Sequence, residues 1–307
     1  MNDGTAQFVE DRQRRRLERR FGHHVTEWLA ELPGTVEKLA TEWRLTVEGP
    51  APHGRTSVVL YVRRADGAEG VLKISPDSGL SVSEAELLRM WAPSRRVPDV
   101  WGVDPDRGAF LMERVEGSTV AASGVVPAME TIGGLIAELH AVQVDPVELR
   151  ELRPLSARVQ FVFEMWGRER EAGAAADIVP APVMHRGAAK ARDLAHGDQD
   201  VVPLHGDLHP GNVIDGGSRG LVVLDPRACL GDGAADAVDW AVWKASGVAE
   251  VEGRVETLSR VMSVDPGRMM EWVRAFAPCF AVAKANRGQT DSVEFDLMMD
   301  LCGATTS

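Results

Sequence analysis

The stretch LHGDLHPGNVI, residues 204–214, gathers the side chains of this chain best suited to chemistry. His205, Asp207 and His209 alternate. On an extended segment alternate residues project to one face, where they could hold a metal ion and serve a metal-dependent hydrolase. The same stretch reads equally as H-x-D with Asn212 five residues past the aspartate, the spacing of a loop that supports phosphoryl transfer. The two chemistries ask different things of the rest of the chain. A hydrolase wants further His or carboxylate ligands, and the remaining histidines form no second cluster. Phosphoryl transfer wants an aspartate near the attacking hydroxyl, ligands for metal ions that bridge the phosphates, and a lysine against the nucleotide's charge.

Those parts occur in order. Lys73 lies in the alternating segment VLKI, comparable with the V-A-I-K strand of protein kinases, and Glu84 follows on a predicted helix where it, or its neighbour Glu86, can hold that lysine. Asp207 and Asn212 share the loop, and Asp225 closes the segment VVLD. Each has a plainer reading alone: a surface lysine on a strand, a first-turn carboxylate favoured by the helix dipole, a turn residue before Pro226. The order Lys, Glu, Asp, Asn, Asp on strand, helix, loop, loop and strand end is far more specific than any one member. His209, in HPG, reads as a turn residue rather than a metal ligand.

These residues need a scaffold. The chain has 307 residues, enough for one large domain or two lobes, since single cores stop growing at about 250 to 300 residues. With 44% hydrophobic and 26% charged residues it has the composition of a soluble globular protein. No apolar run approaches the roughly 20 residues that span a bilayer, and the first twenty residues lack a secretory h-region, so no membrane partner and a cytoplasmic location are expected. Cys229, Cys279 and Cys302 are too few and too far apart for a disulfide framework or a zinc pattern. The net charge of −12 argues against a nucleic-acid partner and favours a cationic one. DRQRRRLERR (11–20) is a local exception, read as a solvated helical face and given no function.

Residues 25–43 carry Trp28, Leu29, Leu32, Val36, Leu39 and Trp43 at helical spacing, and Pro33 and Gly34 split them into two short predicted helices. Strands are expected at 44–49, 56–64, 70–75, 97–103 and 108–115, with a helix over 81–91 capped by Ser81 or Ser83 and ended by Pro93. Beyond Gly117 helical periodicity dominates, at 129–142, 155–170 and 272–285, with two short β segments at 204–214 and 220–226 and a loop at 173–182. The fold class is therefore α+β. Residues 1–115 should form N-terminal helices and a small antiparallel-sheet, nucleotide-binding lobe, and residues 116–307 a mainly helical lobe with the catalytic loop and acceptor site. The change of character over 113–118 marks a hinge.

HGDLHPGN (205–212), VLDP (223–226), ELHAV (138–142) and LMERVEG (111–117) resemble the aminoglycoside phosphotransferase family, which has a protein-kinase-like two-lobed fold. WLAELPGTVEKLATEWRLTVEG (28–49) and LDPRACLGDGAAD (224–236) are similar to its streptomycin 6-kinase and hydroxyurea kinase branch. The resemblance covers all but about the first twenty residues. It implies that Asp207 accepts the proton of the acceptor hydroxyl, that Asn212 and Asp225 hold Mg²⁺, and that Lys73, fixed by Glu84, contacts the phosphates of ATP or GTP. The backbone of Glu113 and Val115 would take the adenine edge, His205 would support the loop, and Asp232 and Asp236 would be structural. The covering loop GPAPHGRTS (49–57) departs from protein kinases in lacking G-x-G-x-x-G, so Ser57 and nearby amides are candidates to cap the phosphate.

The implied function is transfer of the γ-phosphoryl group to a hydroxyl of an antibiotic of the streptomycin kind, inactivating it and conferring resistance. Alternative acceptors are a cationic peptide antibiotic and hydroxyurea. Asp236, Asp239 and Glu271, with Asp291, Glu294, Asp296 and Asp300, are the acids available to a cationic acceptor, although most such residues form solvated faces. A non-catalytic nucleotide-binding protein and a metal-dependent hydrolase are the alternatives of another class.

Overall fold

The apolar stripe Val25, Leu29, Leu32, Val36 and Leu39 keeps its phase across Pro33, and in the computed structural model it forms one buried seam on a single helix. The structure describes residues 8–51, 56–197 and 201–303. The chain divides into two units, Met1–Glu116 and Gly117–Ser307.

The first unit opens with α1 (Asp11–Phe21), whose Leu17 is buried while most of its arginines face outward. In α2 (His24–Glu42), Pro33 removes one hydrogen-bond rung, but the seam holds both halves to the same core, so the two expected helices are one. There follow β1 (Leu45–Pro50), β2 (Val58–Arg64), β3 (Glu69–Ile74), α3 (Ser78–Trp91), β4 (Val100–Asp104) and β5 (Ala109–Glu113). The strands form an antiparallel sheet in the order β1-β2-β3-β5-β4. Its core joins Val58, Leu60, Val62, Leu72 and Ile74 of the sheet to the α2 seam. Helix α3 begins a turn earlier than its serines suggest, because Asp77 supplies the N-cap and accepts the Leu80 amide at 3.0 Å.

The second unit contains α4 (Val120–Ser123), α5 (Met129–His140), α6 (Pro146–Glu151), β6 (Arg153–Pro154), α7 (Leu155–Ala172), α8 (Ala175–Ile178), α9 (Ala181–Ala195), β7 (Val201–Leu204), β8 (Val213–Asp215), β9 (Leu221–Val223), β10 (Cys229–Asp232), α10 (Val238–Val242), α11 (Val248–Met262), α12 (Pro266–Ala285) and α13 (Val293–Leu301). The segment 173–182, expected as a loop, holds α8 and the start of α9. Ala175 and Val179 are fully buried there, and tertiary burial overrides the turn signals of Gly173 and Pro180. Helix α12 lies at the centre, packed against α7, α9, α11 and α13, with Trp272, Val273 and Val282 fully buried. Two small sheets carry the chemistry-bearing loops: β10 between β6 and β7, and the hairpin-like pair β8–β9. Among the described residues no helix is long and apolar enough to cross a membrane.

Gly117 begins this unit at φ 129°, in a region that L side chains rarely adopt. A Cβ there would strike the Asp215 carbonyl oxygen and lie 2.9 Å from Ile214 Cγ2, so only glycine lets the chain run this close to β8. Replacing Gly117 with Ala should therefore destabilise this unit by more than about 1 kcal/mol, read as a lower midpoint in urea unfolding. An unchanged midpoint would show that the approach to β8 is not required.

Candidate active site

In the first unit, alternation along β3 carries Lys73 into an element whose residues from Gly70 to Ile74 are all buried. Its Nζ lies 2.5 Å from Glu84 Oε1, and the two side chains are 4% and 1% exposed. Glu84 shares the buried face of α3 with Ser81, Leu87 and Leu88, whereas Glu86 is exposed, so helix phase selects Glu84 as the partner. A pair so withdrawn from water is weak evidence for stability, because desolvation offsets much of its attraction.

At the other end of the β3–β5 pairing, where Glu113 lies opposite Gly70, the Glu113 amide donates to Asp99 O at 2.8 Å, tying the end of β5 to the residue before β4. Val115 lies just past β5, and among the described residues its N–H and C=O meet no partner. Ser57 is only 2% exposed, with its carbonyl held by Gln13 Nε2 of α1 at 3.0 Å. So placed, Ser57 is a buried residue immediately before β2. Residues 52–55 of the 49–57 loop lie outside the described residues.

In the second unit, the segment after β7 is fixed by its own hydrogen bonds. The His209 amide donates to Asp207 O at 2.9 Å and the Asn212 amide to His209 O at 2.8 Å. Asn212 Nδ2 donates to Asp207 O at 2.9 Å, which leaves the amide oxygen of Asn212 as its outward donor atom. The Gly211 amide donates to His209 Nδ1 at 3.0 Å, so that imidazole serves the turn. Leu224 N–H donates to Asn212 O at 2.8 Å and Arg227 N–H to His205 O at 2.6 Å, stitching the β9 end to the loop. His205, fully buried, donates from Nε2 to Leu224 O at 2.8 Å, and burial pushes its pKa down. His205 and His209 are thus spent on structure, so the metal-hydrolase reading finds no support in their geometry.

Asp236 explains why the loop holds its place. Its Oδ2 accepts the His205 amide at 2.8 Å and His140 Nε2 at 3.1 Å, and its Oδ1 accepts the Gly206 amide at 2.8 Å. Burial alone would raise its pKa, but the hydrogen bond and charge of His140, with the loop contacts, outweigh it and hold the carboxyl below its ordinary value. Both oxygens are taken, so Asp236 is not available to a substrate, against the expectation that it serves as an acceptor-binding acid. Asp232 is likewise internal, accepting Ala234 N–H, Arg268 Nε and Trp272 Nε1.

Glu271 also departs from expectation: it pairs with Lys190 at 2.7 Å in a concavity of about 500 Å³ lined by α9, α12 and the end of α13, without any residue of the 204–214 loop. Asp239, on α10, does belong near the loop. Burial pushes its carboxyl up to about 6, repulsion from Asp207 and Asp236 adds to that, and His209 and Arg158 oppose it.

Asp207 is half exposed and meets Arg158 Nη2 at 3.0 Å through Oδ1. Sequence reasoning missed Arg158. The available signal was a cation three residues after Leu155, on the helix face that Leu155, Val159 and Val162 bury. Asp225 has φ 57°, left-handed backbone that is uncommon outside glycine, though aspartate adopts it more readily than most residues. The Asn212 amide oxygen and the Asp225 carboxylate are hard donors of the kind Mg²⁺ takes, one or two per ion with phosphates and waters completing the shell. Among the described residues no group of three or more His, Cys, Asp or Glu is placed to hold a metal ion.

Comparison with known proteins identifies the family. Residues 42–288 match the family model described as aminoglycoside/hydroxyurea antibiotic resistance kinase. The chain is 32% identical to a hydroxyurea phosphotransferase of Kitasatospora aureofaciens, covering 80% of this chain and 71% of that protein. It is 31% identical to a streptomycin 6-kinase of Streptomyces glaucescens, covering 83% of each. Among solved structures, a choline kinase from Streptococcus pneumoniae superposes with a TM-score of 0.60 at 11% identity, over 90% of this chain and all of that one. A macrolide 2′-phosphotransferase from Brachybacterium faecium gives a TM-score of 0.55 at 19% identity, over 89% and 98% of the two chains. With its sheet-based first unit, its helical second unit and this sequence match, the chain belongs to the aminoglycoside/hydroxyurea antibiotic resistance kinase family, small-molecule phosphotransferases of protein-kinase-like fold.

Proposed function

We propose that this kinase moves the γ-phosphoryl group of ATP to a hydroxyl of streptomycin or a close relative and so inactivates the antibiotic. The observation that carries the reading is the closed loop, in which Asn212 Nδ2 on Asp207 O at 2.9 Å fixes the proposed base relative to the proposed metal ligand. As the acceptor oxygen bonds to the γ-phosphorus, its proton passes to Asp207, and the bond to the β–γ bridging oxygen breaks with its electron pair leaving on ADP. Lys73, oriented by Glu84, neutralises the α- and β-phosphates, and the backbone of Glu113 and Val115 receives the adenine edge. Asn212 and Asp225 would hold Mg²⁺, which when bound supplies positive charge against the phosphates.

Two variants separate these roles. Asp207→Ala should lower kcat by roughly 10² to 10⁴-fold and leave Mg·ATP binding by calorimetry intact. Asp225→Ala should weaken that binding instead. Parent-like turnover in the first, or parent-like Mg·ATP affinity in the second, contradicts the corresponding assignment.

For the acceptor, charge favours streptomycin over hydroxyurea. Residues 1–20 carry +2, so the remainder carries −14, and such an excess speeds encounter with a cation while hardly touching a neutral molecule. Hydroxyurea is the second reading, motivated by the relative named for it. Streptomycin should be phosphorylated with a kcat/KM that falls as added salt shortens the Debye length from about 30 Å at 0.01 M to about 8 Å at 0.15 M. Efficient, salt-insensitive turnover of hydroxyurea with none of streptomycin would reverse the choice.

Asp239 offers a finer test. Its carboxyl is neutral below about 6 and negative above, with Asp207, Asp236, His209 and Arg158 as the charges around it. A cationic acceptor should therefore bind better as pH rises through that value, seen as a falling KM for streptomycin, and Asp239→Asn should abolish the step. A parent enzyme with a pH-independent KM across that range would exclude Asp239 from acceptor binding.

A further inference from the structure

The residue before Asp207 is Gly206, where the H-R-D-L loop of protein kinases has an arginine. No side chain fits here. Gly206 has φ 70°, and a Cβ on it would lie 2.5 Å from the Arg227 carbonyl oxygen and 3.1 Å from Cys229 Sγ. The loop therefore carries no cation of its own beside the proposed base. Helix α7 brings one: Arg158 Nε donates to Gly206 O at 2.8 Å and its Nη2 donates to Asp207 Oδ1 at 3.0 Å.

One guanidinium thus grips the backbone of one loop residue and the side chain of the next. Its stem leaves a helix anchored by Leu155, Val159, Val162 and Phe163, all buried, and its charge lies 5.7 Å from the centroid of the Phe161 ring. The Arg158 side chain is 17% exposed against 37% for Asp207, so the clamp is the more buried partner. Asp207 Oδ1 is occupied, whereas Oδ2 receives no hydrogen bond among the described residues. Asn212 and the His209 amide hold the Asp207 carbonyl from the other side. A planar fork can make both bonds at once in a fixed geometry, and a lysine ammonium, a point charge on a flexible stem, cannot reproduce it.

We propose that Arg158 is a positioning residue for the transfer, clamping the Asp207 carboxylate through Oδ1 so that Oδ2 faces the acceptor hydroxyl. The inference rests on the reading of Asp207 as the proton acceptor. Arg158 touches neither nucleotide nor acceptor in this scheme and acts through Asp207 alone. Orientation of this kind is worth much in rate, since a misplacement of about 1 Å can cost on the order of 10²-fold.

The test is a double-mutant cycle with Mg·ATP and streptomycin, with hydrolysis of Mg·ATP by water as a second readout of the same base. Arg158→Ala should lower kcat by about 10²-fold with KM for Mg·ATP unchanged, and Arg158→Lys should recover only part of the loss. In an Asp207→Ala background, Arg158→Ala should change the residual rate by less than about 2-fold, because the group it positions is gone. Calorimetric Mg·ATP binding shows that each variant is folded, and Arg158→Gln, which keeps a donor without the charge, replaces the alanine variant if that one does not fold. Parent-like kcat in the Arg158 variants while Asp207→Ala is inactive overturns the clamp and spares the base. A full additional loss on removing Arg158 from the Asp207→Ala enzyme overturns it as well, by showing an independent role. Parent-like activity of Asp207→Ala itself overturns the base assignment and the clamp with it.

Discussion

A single buried carboxylate holds the loop after β7, which carries the proposed base, in place. Asp236 gives one oxygen to the Gly206 amide and the other to the His205 amide and His140 Nε2. The loop leaves β7 at His205, so these two amides have no sheet ladder to enter, and a buried amide without a partner costs about 1 to 3 kcal/mol. A lone buried carboxylate would cost more still, and it is tolerated because all three donors converge on it. Each side satisfies the other, which is why the loop and the short helical turn around Asp236 form one unit.

From that anchor the rest of the second unit follows outward. The β9 end is tied to the loop through Leu224 N–H and Arg227 N–H, so Asp225 is carried at a fixed place relative to Asn212. Asp225 holds its left-handed φ of 57° between the tied Leu224 and, two residues on, the tied Arg227, so the surrounding hydrogen bonds over-determine that backbone. Asp232, four residues before Asp236, is locked in turn by Arg268 and Trp272 of α12, so the central helix of the unit backs the anchor. In the first unit the comparable device is the Lys73–Glu84 pair. Replacing a buried pair by apolar side chains is often neutral or stabilising, so the pair is weak evidence for stability, and its presence fits the proposed use of the lysine charge.

Much of this was legible in the sequence because it is local. Alternation in VLKI, the H-x-D-x-x-x-x-N spacing and the strand-ending aspartate in VVLD each depend on a few neighbouring residues, and together they indicated the protein-kinase-like class. The sheet strands fell near their expected places for the same reason. What failed was where packing outweighs local signals. Pro33 did not divide α2, since the buried seam continues in phase across it, and the loop expected at 173–182 is largely helical because Ala175 and Val179 are buried.

The sequence by itself determined the class of chemistry, small-molecule phosphoryl transfer, since the family match and the identities and order of Lys73, Glu84, Asp207, Asn212 and Asp225, the residues proposed to carry it, are linear information. Only the tertiary structure decided the partners of several other charges. Glu84 was chosen over Glu86 by helix phase against the sheet, Asp236 was withdrawn from substrate by two amides about 30 residues earlier in the chain, and Glu271 was placed against Lys190, in a concavity that none of the loop residues lines. Arg158 lies 49 residues before the aspartate it grips, and no local pattern links the two. A side chain's hydrogen bonds depend on which elements fold beside it, and for partners so distant in sequence that is fixed by the packing of helices and strands rather than by spacing.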